Sequence, residues 1–100
     1  DRVVPFNVYN VLLVEAYFRL GDAEKAKMIT ETLKKNVYQD MNYFISLGKD
    51  YYSYLMYEKR VAFYTLDELR RLAETYNQPE LKTEMEQKLQ EYSAALGLGM

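Results

Sequence analysis

Glycine and proline end regular structure, and this chain of 100 residues holds only four of one and two of the other. Their positions divide it. Pro5 precedes the first periodic run, Gly21 splits FRL from DAEKA, Gly48 splits ISL from KDYY, Pro79 follows TYNQ, and Gly97 and Gly99 lie at the end. Between these marks helix formers dominate, and no run alternates apolar with polar residues as a half-buried strand does. The chain is confined to a few helices whose joints are already visible.

The first helix is expected from about Asn7 to Leu20, with Asn7 as N-cap and Gly21 as its stop. Val8, Val11, Leu12, Leu13, Val14, Ala16, Tyr17, Phe18 and Leu20 cover nearly its whole circumference, so it must pack on more than one side. A second, amphipathic helix runs from Ala23 to Lys35, capped by Asp22 and closed by Asn36. Ala26, Ile29, Thr30 and Leu33 form its apolar stripe, and Lys25, Lys27, Glu31 and Lys34 face water. Residues 38–47 read as a third, shorter helix. A fourth begins near Asp50 and runs to Tyr76. Thr65 and Glu68 offer a capping box there, but Val61, Ala62, Leu66, Leu69, Leu72, Ala73 and Tyr76 keep one helical phase across it. The fifth starts at Pro79, a residue suited to a first helical turn, with a stripe of Leu81, Met85, Leu89, Tyr92 and Leu96.

A weak internal repeat is present at an offset of 56 residues. Leu13, Ala16, Gly21, Ile29 and Leu33 correspond to Leu69, Leu72, Asn77, Met85 and Leu89, while Ala26 falls on Lys82. The expected fold is therefore all-α, a single domain over 1–100 with about five helices in antiparallel hairpins: a hairpin 7–35, a connecting helix 37–48 and a hairpin 50–96.

Composition removes several classes of function. The net charge is −2 and histidine is absent, which argues against a nucleic-acid partner and gives no polybasic signal for a membrane surface. Cysteine is absent too, so disulfides, thiolate chemistry and cysteine-based zinc sites are excluded. A metal would need carboxylates alone, and no Asp/Asn-rich calcium loop exists. Neither a phosphate-cradling glycine loop nor a Ser–His arrangement is present. No catalytic residue, cofactor or metal is expected. The longest aliphatic run, Val11 to Val14, is far too short to cross a bilayer, so no direct membrane insertion is expected. The chain opens at Asp1 into RVVPFN, and reads as a piece of something longer.

One stretch asks for more explanation. KDYYSYLMYEKRVAFY, residues 49–64, holds five of the eleven tyrosines. On a helix, Tyr51, Tyr54 and Leu55 join the core arc of residues 61–76, with Glu58 on the same arc. Tyr52, Met56 and Phe63 make a second stripe. Tyr57 and Tyr64 make a third, with Arg60 and Arg71 close by. Three uses compete. The preferred one packs the extra stripes against the first and third helices, since bulky residues at helical spacing are usually core. In the second, Tyr52, Tyr57, Arg60, Tyr64 and Arg71 form a surface for a partner protein, for which Tyr and Arg are well suited. In the third, Tyr57, Arg60, Tyr64 and Arg71 stack a sugar or hold an anion. Glu15, inside LLVEAYF, is expected to pair with Arg19 four residues on. Glu84 and Glu86 with Lys82 and Lys88 read as a solvated face.

LVEAYFRLGDAEKA carries Leu13, Tyr17, Gly21, Asp22 and Ala26 at the spacing of a tetratricopeptide repeat, which the first hairpin resembles. Asn10, Val14 and Tyr38 depart from it, standing where the repeat favours Trp, Gly and Pro. The resemblance implies a right-handed array of helical hairpins. A longer stretch, RVVPFNVYNVLLVEAYFRLGDAEKA together with YYSYLMYEKRVAFYTLDELRRLAETYNQPEL, resembles the C-terminal end of bacterial multi-spanning membrane proteins similar to protein O-mannosyltransferases. That resemblance implies a non-catalytic soluble domain of an inner-membrane protein, facing the periplasm, at the end of a glycosyltransferase-like parent. Its implied work is protein–protein interaction or scaffolding, with the upstream membrane portion or another protein as partner; the nearly all-apolar first helix separately allows a homodimer. The alternatives are an accessory module that binds the sugar or acceptor peptide through the Tyr and Arg residues of 51–71, and a purely structural cap.

Overall fold

The computed structural model describes residues 3–48, 51 and 55–97, and of residues 3–6 and 8 the backbone alone. It is all-α. Four helices follow in order: α1 (Val3–Arg19), α2 (Ala23–Ser46), α3 (Met56–Thr75) and α4 (Pro79–Leu96). α1 packs against α2 and α3 against α4 as adjacent antiparallel pairs, and α3 also touches both helices of the first pair. Five helices were expected, and three boundaries differ for physical reasons.

The first is Asn7. α1 begins at Val3, so Asn7 lies in its second turn and is no N-cap. Pro5 falls in the first turn, where backbone N–H groups have no intrahelical acceptor and proline costs little. The Asn7 side chain is buried, and its Oδ1 has no hydrogen-bond partner among the described residues.

The second is Asn36, which does not close the second helix. The stripe Ala26, Thr30, Leu33 continues at the same spacing through Val37, Met41 and Phe44, all buried, so α2 absorbs the expected connecting helix. Burial of three further large side chains outweighs the modest helix cost of one asparagine. α2 stops at Gly48, which takes a left-handed conformation (φ +83°).

The third is the start of α3. Leu55 has φ 56° and ends any helix entering from residue 50, so α3 starts at Met56. Tyr51 lies in a separate short turn, its N–H donating to the Gly48 carbonyl at 3.2 Å. Residues 52–54, and with them Tyr52 and Tyr54, fall outside the described residues. Continuity through Thr65 holds: its hydroxyl donates to the Val61 carbonyl at 2.9 Å, back into its own helix, and caps nothing.

Other expectations match. The Asp22 carboxylate accepts from the Lys25 N–H at 3.2 Å, and Pro79 occupies the first turn of α4. The α1–α2 and α3–α4 turns are copies of each other. Asp22 N–H donates to Tyr17 O at 2.9 Å and Gly21 N–H to Phe18 O at 3.1 Å. Fifty-six residues on, Gln78 N–H donates to Ala73 O at 2.7 Å and Asn77 N–H to Glu74 O at 3.4 Å. This paired closure needs a left-handed residue at its centre, supplied by Gly21 (φ +80°) and by Asn77 (φ 58°). At these two turns the offset of 56 residues relates matching backbone geometry.

One core joins the helices. Val14, Ala26, Leu33, Val37, Met41, Leu66, Leu69, Leu72 and Met85 are completely buried within it. Phe18 stacks on Tyr76 with ring centroids 5.2 Å apart, tying the end of α1 to the α3–α4 turn.

The turn gives a direct test. A side chain at Gly21 would meet no neighbour, so only the backbone resists substitution. Gly21→Ala should lower stability by about 1 kcal/mol in urea unfolding. Gly21→Asn, which copies the second turn, should lose less than half of that.

Candidate functional site

The residues singled out for binding lie mostly on one outward row of α3. Tyr57 is 68% exposed and Tyr64 60%, and Arg60 and Arg71 are exposed beside them. The packed-core expectation fails for this row, because the buried face of α3 carries Lys59, Ala62, Phe63, Thr65, Leu66, Leu69, Leu72 and Ala73 instead. It holds for Phe63 of the second stripe. Arg71 is engaged within its own helix: Nε and Nη2 donate to Glu68 Oε1 at 3.1 and 2.9 Å. The guanidinium is held above its usual pKa by that hydrogen bond. Tyr57, Arg60, Tyr64 and Arg71 share one helix face, and none of them lines the clefts beside Lys34 and Glu84, beside Phe44 and Lys59, or beside Phe63 and Leu89. Near the start of α3 the buried charge is Lys59, one residue beyond the expected Glu58, and its Nζ donates to the Tyr51 carbonyl at 3.2 Å.

A polar cluster where α2 meets α4 was not expected. Glu84 Oε1 accepts from Lys34 Nζ at 2.8 Å, and Oε2 accepts from the Tyr38 hydroxyl at 2.7 Å. Lys88 sits over the Tyr38 ring at 4.9 Å, and Tyr38 lies 6.2 Å from the buried Tyr92 ring. The expected solvated faces are corrected here: Lys34 is largely covered, and Glu84 bridges two helices. The Glu15–Arg19 pair is present as expected, at 3.4 Å. Burial alone would raise the Glu84 pKa, but hydrogen bonds from Lys34 and Tyr38 outweigh it and bring the carboxylate below its usual range. Burial, reinforced by the hydrogen bond to Glu84, pushes the Tyr38 hydroxyl above its usual range. Both carboxylate oxygens are occupied, so the cluster fastens helices. The missed signal was spacing: Glu84, Lys88 and Tyr92 recur every four residues beside the apolar stripe.

The third feature is α1. Asn7, Val11, Val14 and Phe18 are buried, while Tyr9, Leu12, Leu13, Ala16 and Leu20 are exposed. Positions 9, 13, 16 and 20 follow each other at steps of four, three and four on the side opposite the buried one. Shifted by 56 residues, four of the exposed five become Thr65, Leu69, Leu72 and Tyr76, of which the first three are buried and the fourth stacks on Phe18. Leu69 is fully buried and Leu13 is 38% exposed. Tyr76 is covered by the first hairpin, and Leu20 is 78% exposed. The two leading helices of the two hairpins therefore differ in cover at equivalent places.

Among the described residues no group of His, Cys, Asp or Glu side chains is placed to hold a metal ion, and no helix is long and apolar enough to cross a membrane. No protein-family model, no curated protein and no solved structure matches the chain. What the described residues offer is a small all-helical domain of four helices with an exposed apolar row on α1 and an exposed row of tyrosine and arginine on α3.

The cluster predicts a pH response. A carboxyl whose pKa is lowered by folding contributes stability above its ordinary value, and that contribution is lost as pH falls through the lowered one. A hydroxyl whose pKa is raised contributes below its ordinary value and loses the contribution as pH rises beyond it. Glu84→Gln should cost about 1 kcal/mol at pH 7 and flatten the loss of stability below about pH 5. Tyr38→Phe should flatten the loss above about pH 10. Thermal unfolding followed by circular dichroism across pH measures both.

Proposed function

We propose that this domain is a non-catalytic protein-interaction module of the helical-repeat kind, and that α1 presents its recognition face. The observation that carries the reading is the unequal cover of equivalent residues. Leu69 and Leu72 of α3 are buried and Tyr76 just after it stacks on Phe18, while Leu13, Ala16 and Leu20 of α1 are exposed among the described residues. A contiguous apolar strip of this kind on a small domain marks an interaction surface.

The duplicated turns support an arrangement like that of tetratricopeptide repeats, in which each hairpin stacks on the one before. The sequence resemblance supports reading the module as the C-terminal domain of a membrane glycosyltransferase-like protein on the periplasmic side, with the parent's membrane portion or another protein as partner. A second reading is favoured by the exposure of Tyr57, Arg60 and Tyr64: the α3 row acts as an accessory surface for a sugar or an acceptor peptide. Its open shape gives it less to hold a small ligand with than a concave pocket would.

The test is a photo-crosslinking side chain placed at Leu12 in the cell that makes the protein. A discrete adduct is expected at Leu12, and none when the same group replaces Glu86 on the outer side of α4. No adduct at Leu12 would remove α1 as the recognition face. Tyr64→Ala with Arg60→Ala tests the second reading, which fails if folding and the parent's transferase activity are both unchanged.

A further inference from the structure

The geometry of α1 points to a second copy of this chain as the occupant of its exposed strip, and we infer that two copies pair through α1 about a two-fold axis. The inference rests on the reading of α1 as a recognition face and commits it to one partner.

Tyr9, Leu13, Ala16 and Leu20 stand at the four–three–four spacing that makes a seam between two helices packed side by side. The seam is opposite the face bearing Asn7, Val11, Val14 and Phe18, so a second helix can lie along it without disturbing the core. Turned antiparallel, the seam complements itself. Tyr9 of one copy meets Leu20 of the other. Leu13 meets Ala16, and the layer nearest the axis sets a large side chain against a small one. A parallel pairing would set Ala16 on Ala16 and leave a gap at the centre, with Leu13 crowding Leu13 one layer away.

The flanks raise no objection. Leu12 and Arg19 lie on one side of the seam, and Asn10 and Tyr17 on the other. In the antiparallel pairing the aliphatic stem of Arg19 runs over Leu12 of the other copy, with its charge at the rim beside Glu15. Asn10 faces Tyr17, a polar match. No like charges are opposed.

The far end of the domain explains why copies close face to face and do not grow head to tail. α2 buries Ala26, Thr30, Leu33 and Val37. The equivalent positions on α4 are Lys82, Glu86, Leu89 and Ser93, and the first two form a surface ion pair. That polar end cannot receive an apolar α1. The exposed part of the strip amounts to on the order of 500 Å² per copy, less than the ~800 Å² per partner of a standard stable interface. The dimer is accordingly weak, with dissociation in the micromolar range.

Sedimentation equilibrium of the chain from about 5 to about 500 µM tests this. The mass should rise from 11.9 kDa toward twice that value. Leu13→Asp should weaken association at least tenfold with helicity unchanged. Ala16→Leu distinguishes a seam from mere stickiness: it adds apolar surface, yet in the antiparallel seam it collides with Leu13 of the other copy and must weaken the dimer. A monomer throughout the range overturns the inference, as does tighter association of Ala16→Leu. If the chain is monomeric while the crosslink at Leu12 captures a different protein, the second copy is refuted and the recognition face stands.

Discussion

The packing of α3 against the first hairpin is the interaction on which the rest depends. Leu66, Leu69 and Leu72 are completely buried, and α3 touches all three other helices. Without it only the α2–α4 contact would join the two helix pairs, each too small to hold a core. The two duplicated turns set the angle at which each pair closes, and the Phe18–Tyr76 stack locks one turn onto the other hairpin. The Glu84 cluster fastens α2 to α4 on the far side. Stability is spread over one core and one polar clasp.

That arrangement has a consequence at each end. α4 closes the domain with Lys82 and Glu86 where α2 carries Ala26 and Thr30, so its outer side is at home in water. α1 keeps Leu13 where α3 keeps Leu69, but among the described residues Leu13 is exposed and Leu69 is buried. α1 carries apolar residues on its exposed side as well as on its buried one. The functional reading follows from this asymmetry between the ends, since no chemistry is concentrated at any single point of the described surface.

Much of this was legible in the sequence. Gly21, Asp22 and Pro79 marked the turns because their backbone requirements are local. The stripes of α2 and α4 were legible because burial repeats at helical spacing. The offset of 56 residues was legible from five positions, and the identity of the two turns gave it a structural meaning. Other features depended on balances that local signals do not carry. Asn36 looked like a stop, but Val37, Met41 and Phe44 kept the phase of Leu33 and won. Leu55 broke the helix that Tyr51 and Tyr54 were expected to extend, and no residue-type preference announces a left-handed leucine. Tyr57 and Tyr64 share a helix with Phe63 and look equally apolar, so only the position of the neighbouring helices separates exposed from buried. Lys34 and Glu84 lie fifty residues apart, and a charge pair across that distance cannot be read from either helix alone.

The central claim is that equivalent leucines in the two hairpins live in opposite surroundings. It can be measured by adding a soluble paramagnetic agent to dilute protein and following relaxation of the leucine methyls by nuclear magnetic resonance. The account predicts strong relaxation at Leu12, Leu13 and Leu20, with Leu66, Leu69 and Leu72 shielded. Leu13 methyls as well shielded in dilute solution as those of Leu69 would contradict it, because the face on which the functional reading rests would then already be covered.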